Sequence, residues 1–255
     1  MSFRDLFERT FSKTHPVSVA EPQEMILLTL ARAEENARAV TAADLANTLN
    51  SKPDPHLRAL IDQTLVCIRD NGKLTLTDAG RTRALTLLRR HRLAERLFTD
   101  VLGLDWARAH EEADKLEHVV SPEAEEQIAS QLGDPATCPH GNPIPGAHGD
   151  SAPAPSVSLA DCPSQTRATI ARIALETPAA LQHLATLGVL PNVEIEIENK
   201  APFDGPVLVR VGRAHYALGH DLAARVWVRL ASPQIPHRHS RRRWRWRMGH
   251  TRRTT

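Results

Sequence analysis

Residues 90–121 read RHRLAERLFTDVLGLDWARAHEEADKLEHVVS, and the placement of its polar side chains decides the reading of the chain. Two helical runs lie on either side of Gly103. On the first, His91 and Glu95 stand four apart and share one face. On the second, His110, Asp114, Glu117 and His118 fall at i, i+4, i+7 and i+8, a single stripe. A lone His–Glu pair four apart is ordinarily a solvated face. The second stripe beside it changes the reading, because imidazole nitrogens and carboxylate oxygens on adjacent faces are the donor set of a divalent transition metal.

Composition bounds the rest. The chain has 255 residues, 41% hydrophobic and 4% aromatic, which fits one large domain or two to three small ones with an aliphatic, mainly helical core. No run approaches the ~18 apolar residues of a membrane span, and MSFRDLFERTFSK lacks the apolar region of a secretory signal. Cys67, Cys138 and Cys162 are scattered and odd in number, which argues against a disulfide framework and for a reducing cytoplasm. The net charge of +2 hides an asymmetry. From His237 onward there are eight arginines (Arg238, Arg241, Arg242, Arg243, Arg245, Arg247, Arg252 and Arg253) and no acid, so the remainder carries 24 bases against 30 acids, about −6 by formal count.

Taken in order, the N-terminal 21 residues hold a short amphipathic turn (Phe3, Leu6, Phe7, Phe11) broken by Pro16 and Pro22. A helix follows from about Pro22 to Asn36, then TAADLANTLN with Thr41 as N-cap, then a third helix opened by Pro55. CIRDNGKLTLT reads as a tight hairpin about Asn71-Gly72. Three small helices and a hairpin outline a winged helix-turn-helix. LTDAG opens the long helix carrying His91 and Glu95, and Gly103 closes it. The stripe helix spans about Asp105 to Val119. Ser121-Pro122-Glu123 starts another. CPHGNPIPG (138–146) is an ordered turn, in which Cys138 and His140 are read as turn residues; His220 is read as surface. GAHGDSAPAPSVS marks a domain boundary. Beyond it RATIARIA, VEIEIEN, PVLVRVG and RVWVRL read as strands and PAALQHLATLG as a helix, a small β-barrel. SPQIPHRHSRRRWRWRMGHTRRTT has no apolar periodicity; with Trp244 and Trp246 interleaved among arginines it offers nonspecific nucleic-acid contact.

RRHRLAERL, LTDAGR, HEEADKLEHVVS and PHGNPIPG, in that order, resemble the signatures of the metal-dependent transcriptional repressors of the diphtheria toxin repressor type, over roughly residues 22–230. The resemblance implies a mainly α chain: a winged helix-turn-helix (22–80), a helical metal-binding and dimerisation domain (81–146), a linker (147–165), an SH3-like, FeoA-type barrel (166–231) and the tail (232–255). It implies a primary site of Met25, Asp114, Glu117 and His118, and an ancillary site of His91, Glu95 and His110 with Glu176 from the barrel. It also implies Fe2+ or Mn2+ as cofactor, a homodimer built mainly from the helices after Ser121, and an operator in double-stranded DNA read by Lys52, Asp54, His56 and Arg58. Two departures stand out. Asp114 occupies a position that is cysteine in iron-sensing members and glutamate in manganese-sensing ones; a carboxylate favours Mn2+ while the soft Met25 pulls the other way. Pro53 and Pro55 fall in the recognition helix, where proline removes donors. The competing reading is therefore a metal-binding dimer with weakened DNA recognition that acts through its FeoA-like domain on a protein partner. No nucleophile–base pairing supports an enzyme.

Overall fold

The computed structural model describes residues 21–49, 54–146, 155–175 and 177–231. Helix α1 (Glu21–Glu35) is apolar on two faces. Ile26, Leu27, Leu30, Ala31 and Ala33 enter a first core with Leu45 of α2 (Ala42–Leu49), Leu57 and Leu60 of α3 (Asp54–Asp62), and the hairpin β1 (Val66–Ile68)–β2 (Leu74–Leu76). Leu28 faces the other way, onto Leu87 and Leu88 of the long helix α4 (Asp78–Arg96). α1 is therefore held from both sides. Thr41 and Asp44 close a reciprocal cap at the start of α2: the Thr41 N–H donates to Asp44 Oδ2 at 2.8 Å and the Asp44 N–H to Thr41 Oγ1 at 3.3 Å. The hairpin turn is longer than the two residues the sequence implied, because Arg69 and Lys73 still pair and only then does Gly72, at φ +74°, reverse the chain.

Thr77 caps α4 through the Gly80 N–H at 3.1 Å. Gly80 cannot be otherwise: a Cβ there would lie 1.9 Å from the Leu65 carbonyl oxygen. α4 runs into a single π-helical turn (Leu97–Val101) before Gly103, at φ +67°, ends the run. α5 (Trp106–Leu116) and α6 (Pro122–Gln131) follow, capped by Asp105 and Ser121, and with α4 they enclose a second core around Leu93, Leu97, Leu116 and Ile128.

The turn 138–146 contains three prolines, whose carbonyls no ladder satisfies. A row of arginines on α4, at i, i+3 and i+7, satisfies carbonyls in and just before it: Arg89 donates to Pro145 O at 2.7 Å, Arg92 to Pro143 O, and Arg96 to Thr137 O at 2.7 Å. Arg92, almost fully buried, also forks onto Glu35 of α1 at 2.9 and 2.5 Å.

The C-terminal unit is one antiparallel sheet in the order β3-β8-β4-β5-β6-β7. Its strands are β3 (Val157–Ser158), β4 (Thr166–Ile173), β5 (Glu194–Lys200), β6 (Val207–Val211), β7 (Ala214–Leu218) and β8 (Val226–Leu230). Helices α7 (Pro178–Thr186) and α8 (His220–Ala223) complete it. Two strands lie where the sequence pattern signalled none: β7, and β3, which pairs with β8 inside the stretch read as linker. The sheet is docked on the helices. Ala107 of α5 belongs to its apolar core and the partly buried Trp106 packs against it. Ile173 N–H donates to His140 O at 2.9 Å, and Asn142 Nδ2 to Ile173 O at 3.0 Å. Gly141, at φ +83°, lets the turn approach so closely that a Cβ would sit 2.2 Å from the Ala171 carbonyl oxygen. Buried Arg172 of β4 lies over Trp227 at 4.3 Å and donates to Asn36 Oδ1, just past α1, at 2.7 Å.

Candidate metal centre

The polar stripes of α4 and α5 meet α1 in one buried cluster with two unlike ends. At the first end, Met25 of α1 and Glu111, Asp114, Lys115 and His118 line an open depression of ≈ 580 Å³. Asp114 is one-third exposed, whereas Glu117 and His118 are buried to 0% and 6% side-chain exposure. Three buried atoms here, Asp114 Oδ1, Glu117 Oε1 and His118 Nε2, take no hydrogen bond among the described residues. Asp114 Oδ1 does lie 3.3 Å from His91 Nδ1 and 3.9 Å from Arg32, distances of charge attraction without hydrogen-bond alignment. An unsatisfied buried polar atom costs about 1–3 kcal/mol, more when charged. A divalent cation ligated by two carboxylate oxygens, one imidazole nitrogen and a thioether would remove that cost; the oxygens suit Mn2+ and the mixed nitrogen and sulfur donors suit the softer Fe2+.

At the other end the groups satisfy one another. His91 Nδ1 contacts Glu117 Oε2 at 2.6 Å, and its Nε2 reaches Glu95 Oε1 at 3.1 Å and His110 Nδ1 at 3.0 Å. Glu95 Oε1 also lies 2.9 Å from His110 Nδ1 and 3.2 Å from His140 Nδ1. The other nitrogen of His140 donates to Trp106 O at 3.1 Å, and Cys138 Sγ stands 3.8 Å from the ring. One donor atom each from His91, His110 and Asp114 lies within 4.8 Å of the others, and the same holds for Glu95, Cys138 and His140.

The electrostatics follow from burial opposed by partners. Burial and the Arg32 guanidinium press His91 down, but Glu95 and Glu117 outweigh them and raise its pKa to about 9. Burial alone would raise the Glu95 carboxyl; His140 and His91 instead hold it well below the usual carboxylate range. His140 stands well above the ordinary imidazole value, since Glu95 outweighs its desolvation. Burial pushes the Cys138 thiol up, and Glu95 adds to it.

Seven of the eight metal-site candidates are described. Met25, Asp114, Glu117 and His118 gather at the open end, and His91, Glu95 and His110 at the closed end. The two groups are contiguous, because His91 touches Glu117 and Asp114 on one side and Glu95 and His110 on the other. Glu176 lies outside the described residues. Cys138 and His140 need correcting: they sit in a turn, but both are buried against Glu95, drawn inward by the arginine row. Glu24 was missed altogether; its carboxylate accepts from His118 Nδ1 at 2.7 Å. On α3, His56 is half-buried and Arg58 exposed, while Lys52, the side chain of Asp54 and the arginine tail lie outside the described residues.

Residues 77–146 match the model of the iron dependent repressor metal binding and dimerisation domain, and residues 157–230 match the FeoA domain. The chain is 30% identical over 226 residues to the iron-dependent repressor IdeR of Mycobacterium leprae, covering 82% of this chain and 97% of that one. It is 37% identical over 127 residues to the diphtheria toxin repressor of Corynebacterium diphtheriae, 48% of this chain and 56% of that one. A solved manganese-dependent transcriptional repressor in complex with manganese superposes with a TM-score of 0.76 at 33% identity, over 82% of this chain and 100% of that one.

Proposed function

The chain belongs to the iron-dependent repressor family, and from that premise we propose that it is a transcriptional repressor switched on by Mn2+ or Fe2+. The observation that carries the reading is the set of three buried donor atoms of Asp114, Glu117 and His118 that take no hydrogen bond among the described residues, beside Met25. These four residues hold the regulatory ion; His91, Glu95 and His110, with Cys138 and His140 beside them, offer donors to a supporting site. The ion supplies a dication that satisfies donors from two helices at once. The chain does the rest. Met25 rides on α1, which is part of the first apolar core, while Asp114 rides on α5 and Glu117 and His118 on the turn that ends it. Fixing α1 against α5 therefore fixes the whole N-terminal unit. That effect switches DNA binding only if the ion favours the DNA-competent arrangement over the other.

We read the three helices and hairpin of that unit as a winged helix-turn-helix with α3, which carries His56 and Arg58, as recognition helix, and we propose Lys52 and Asp54 as further DNA contacts. The family's dimerisation domain, and Val101, Leu102 and Val119 left exposed on the helical unit, support a homodimer that sets two half-sites in register. Among the described residues no helix is long and apolar enough to cross a membrane, and we propose a cytoplasmic regulator because the relatives are bacterial repressors. The relatives are transcriptional regulators, so we propose no catalytic activity, and they give no support to the reading as a DNA-independent partner of another protein.

Selection from a random duplex DNA pool by the full chain, with and without Mn2+ or Fe2+, tests this. An inverted repeat recovered only with metal is expected. Metal-independent, salt-sensitive binding that vanishes on deleting residues 237–255 would contradict it.

A further inference from the structure

Glu24 lies one residue before Met25 on α1 and links three helices. Its Oε2 accepts from His118 Nδ1, in the turn that ends α5, at 2.7 Å, and its Oε1 accepts from Arg83 Nη2 on α4 at 3.2 Å. Its side chain is 16% exposed. A carboxylate has no proton to give, so His118 Nδ1 carries the hydrogen of that bond. In the neutral ring this leaves the lone pair on Nε2. That atom is buried, takes no hydrogen bond among the described residues, and lies 3.4 Å from Glu117 Oε1, which likewise takes none. The free nitrogen thus points where the other free donor is.

We propose that Glu24 is a positioning residue of the regulatory site. It fixes the His118 tautomer with Nε2 as the donor atom, strengthens that nitrogen as a ligand, and makes its readiness depend on α1 being seated. This inference rests on the reading of Asp114, Glu117 and His118 as metal ligands. A histidine that donates its second N–H to a carboxylate is oriented and made more basic toward a metal, and loss of such a partner typically lowers affinity about 10–100-fold. Glu24 comes from a different helix than the histidine it orients. The bond therefore joins the N-terminal unit to the sensor helix through the protein alone, and Arg83 fixes the carboxylate from a third side.

Calorimetric titration of the full chain with Mn2+, using Glu24→Ala, Glu24→Gln and His118→Ala, tests the proposal together with nitrogen NMR of the His118 ring in the metal-free protein. Glu24→Ala is expected to weaken Mn2+ binding about 10–100-fold. Glu24→Gln, whose amide oxygen can still accept from Nδ1–H, should recover most of it. The wild-type ring should show protonated Nδ1 and bare Nε2, and Glu24→Ala should mix the two tautomers. An unchanged affinity in Glu24→Ala alongside a large loss in His118→Ala overturns the role of Glu24 and leaves the site standing. Unchanged affinity in His118→Ala overturns both. Should Glu24→Ala fail to fold, a wild-type ring protonated on Nε2 and bare on Nδ1 overturns the proposal by itself.

Discussion

At one end of the buried cluster Glu95 accepts from or attracts three imidazoles, His91, His110 and His140. At the other end Asp114 Oδ1, Glu117 Oε1 and His118 Nε2 have no hydrogen-bond partner among the described residues. Both ends are built from carboxylates and imidazoles of one contiguous cluster, so residue type alone does not separate them. The difference lies in what surrounds them. The closed end is packed under the turn 138–146, which brings His140 as an additional cation and ties the helices to the sheet. The open end faces a depression and receives α1. A satisfied cluster is a joint, whereas an unsatisfied one is where an added cation changes the balance of states.

The comparison breaks most sharply at Glu95. Glu95→Ala leaves three imidazoles buried around a missing charge, so the metal-free protein should lose about 3–5 kcal/mol in denaturant unfolding. A loss below about 1 kcal/mol would show that the closed end is no joint. Titration of His91 gives the next effect. Its pKa of about 9 exceeds the unfolded value of about 6.5. The imidazolium therefore stabilises the metal-free fold fully below pH ~6.5, and that contribution, on the order of 3 kcal/mol, is lost as pH rises through 9. Metal-free melting temperatures that stay flat from pH 6.5 to 9 would refute this.

Asp114→Ala should behave in the opposite way to Glu95→Ala. It removes a carboxylate that has no hydrogen bond on Oδ1, so metal-free stability should hold within about 1 kcal/mol, while Mn2+ affinity falls at least about 100-fold, a change of about 2.7 kcal/mol. Equal losses in both would erase the distinction between the ends. The smallest effect sharpens the closed end's link to the sheet. Arg172→Leu removes the bond to Asn36 and should cost about 1–2 kcal/mol. It should also speed limited proteolysis of the metal-free protein, and an unaltered rate would argue that the sheet is held by the turn alone.

Much of this was legible in the sequence, and the reasons differ by residue. The stripe His110, Asp114, Glu117 and His118 could be read because helical periodicity places i, i+4, i+7 and i+8 on one face whatever packs against it. The caps Thr41 and Ser121, and the start of α4 at LTDAG, were readable for the same local reason. Cys138 and His140 were not, because nothing in the turn's own sequence says that Arg89, Arg92 and Arg96, more than forty residues earlier, satisfy carbonyls along it and draw it against Glu95. Glu24 carries no local signal; only the approach of the turn after α5, 94 residues on, gives it His118. The contiguity of the two sites also needed three dimensions, since a single residue, His91, uses its two ring nitrogens on opposite sides. Strand β7 escaped because AHYAL alternates weakly, and its place is set by pairing with β6.

The central claim is that the open end, and not the closed one, holds the ion that moves α1. Anomalous diffraction at the manganese edge from crystals of the full chain grown with Mn2+ tests it most directly. The account predicts a peak within bonding distance of Asp114, Glu117 and His118, lost in His118→Ala. A single peak between Glu95, Cys138 and His140, with none at the open end, would contradict it.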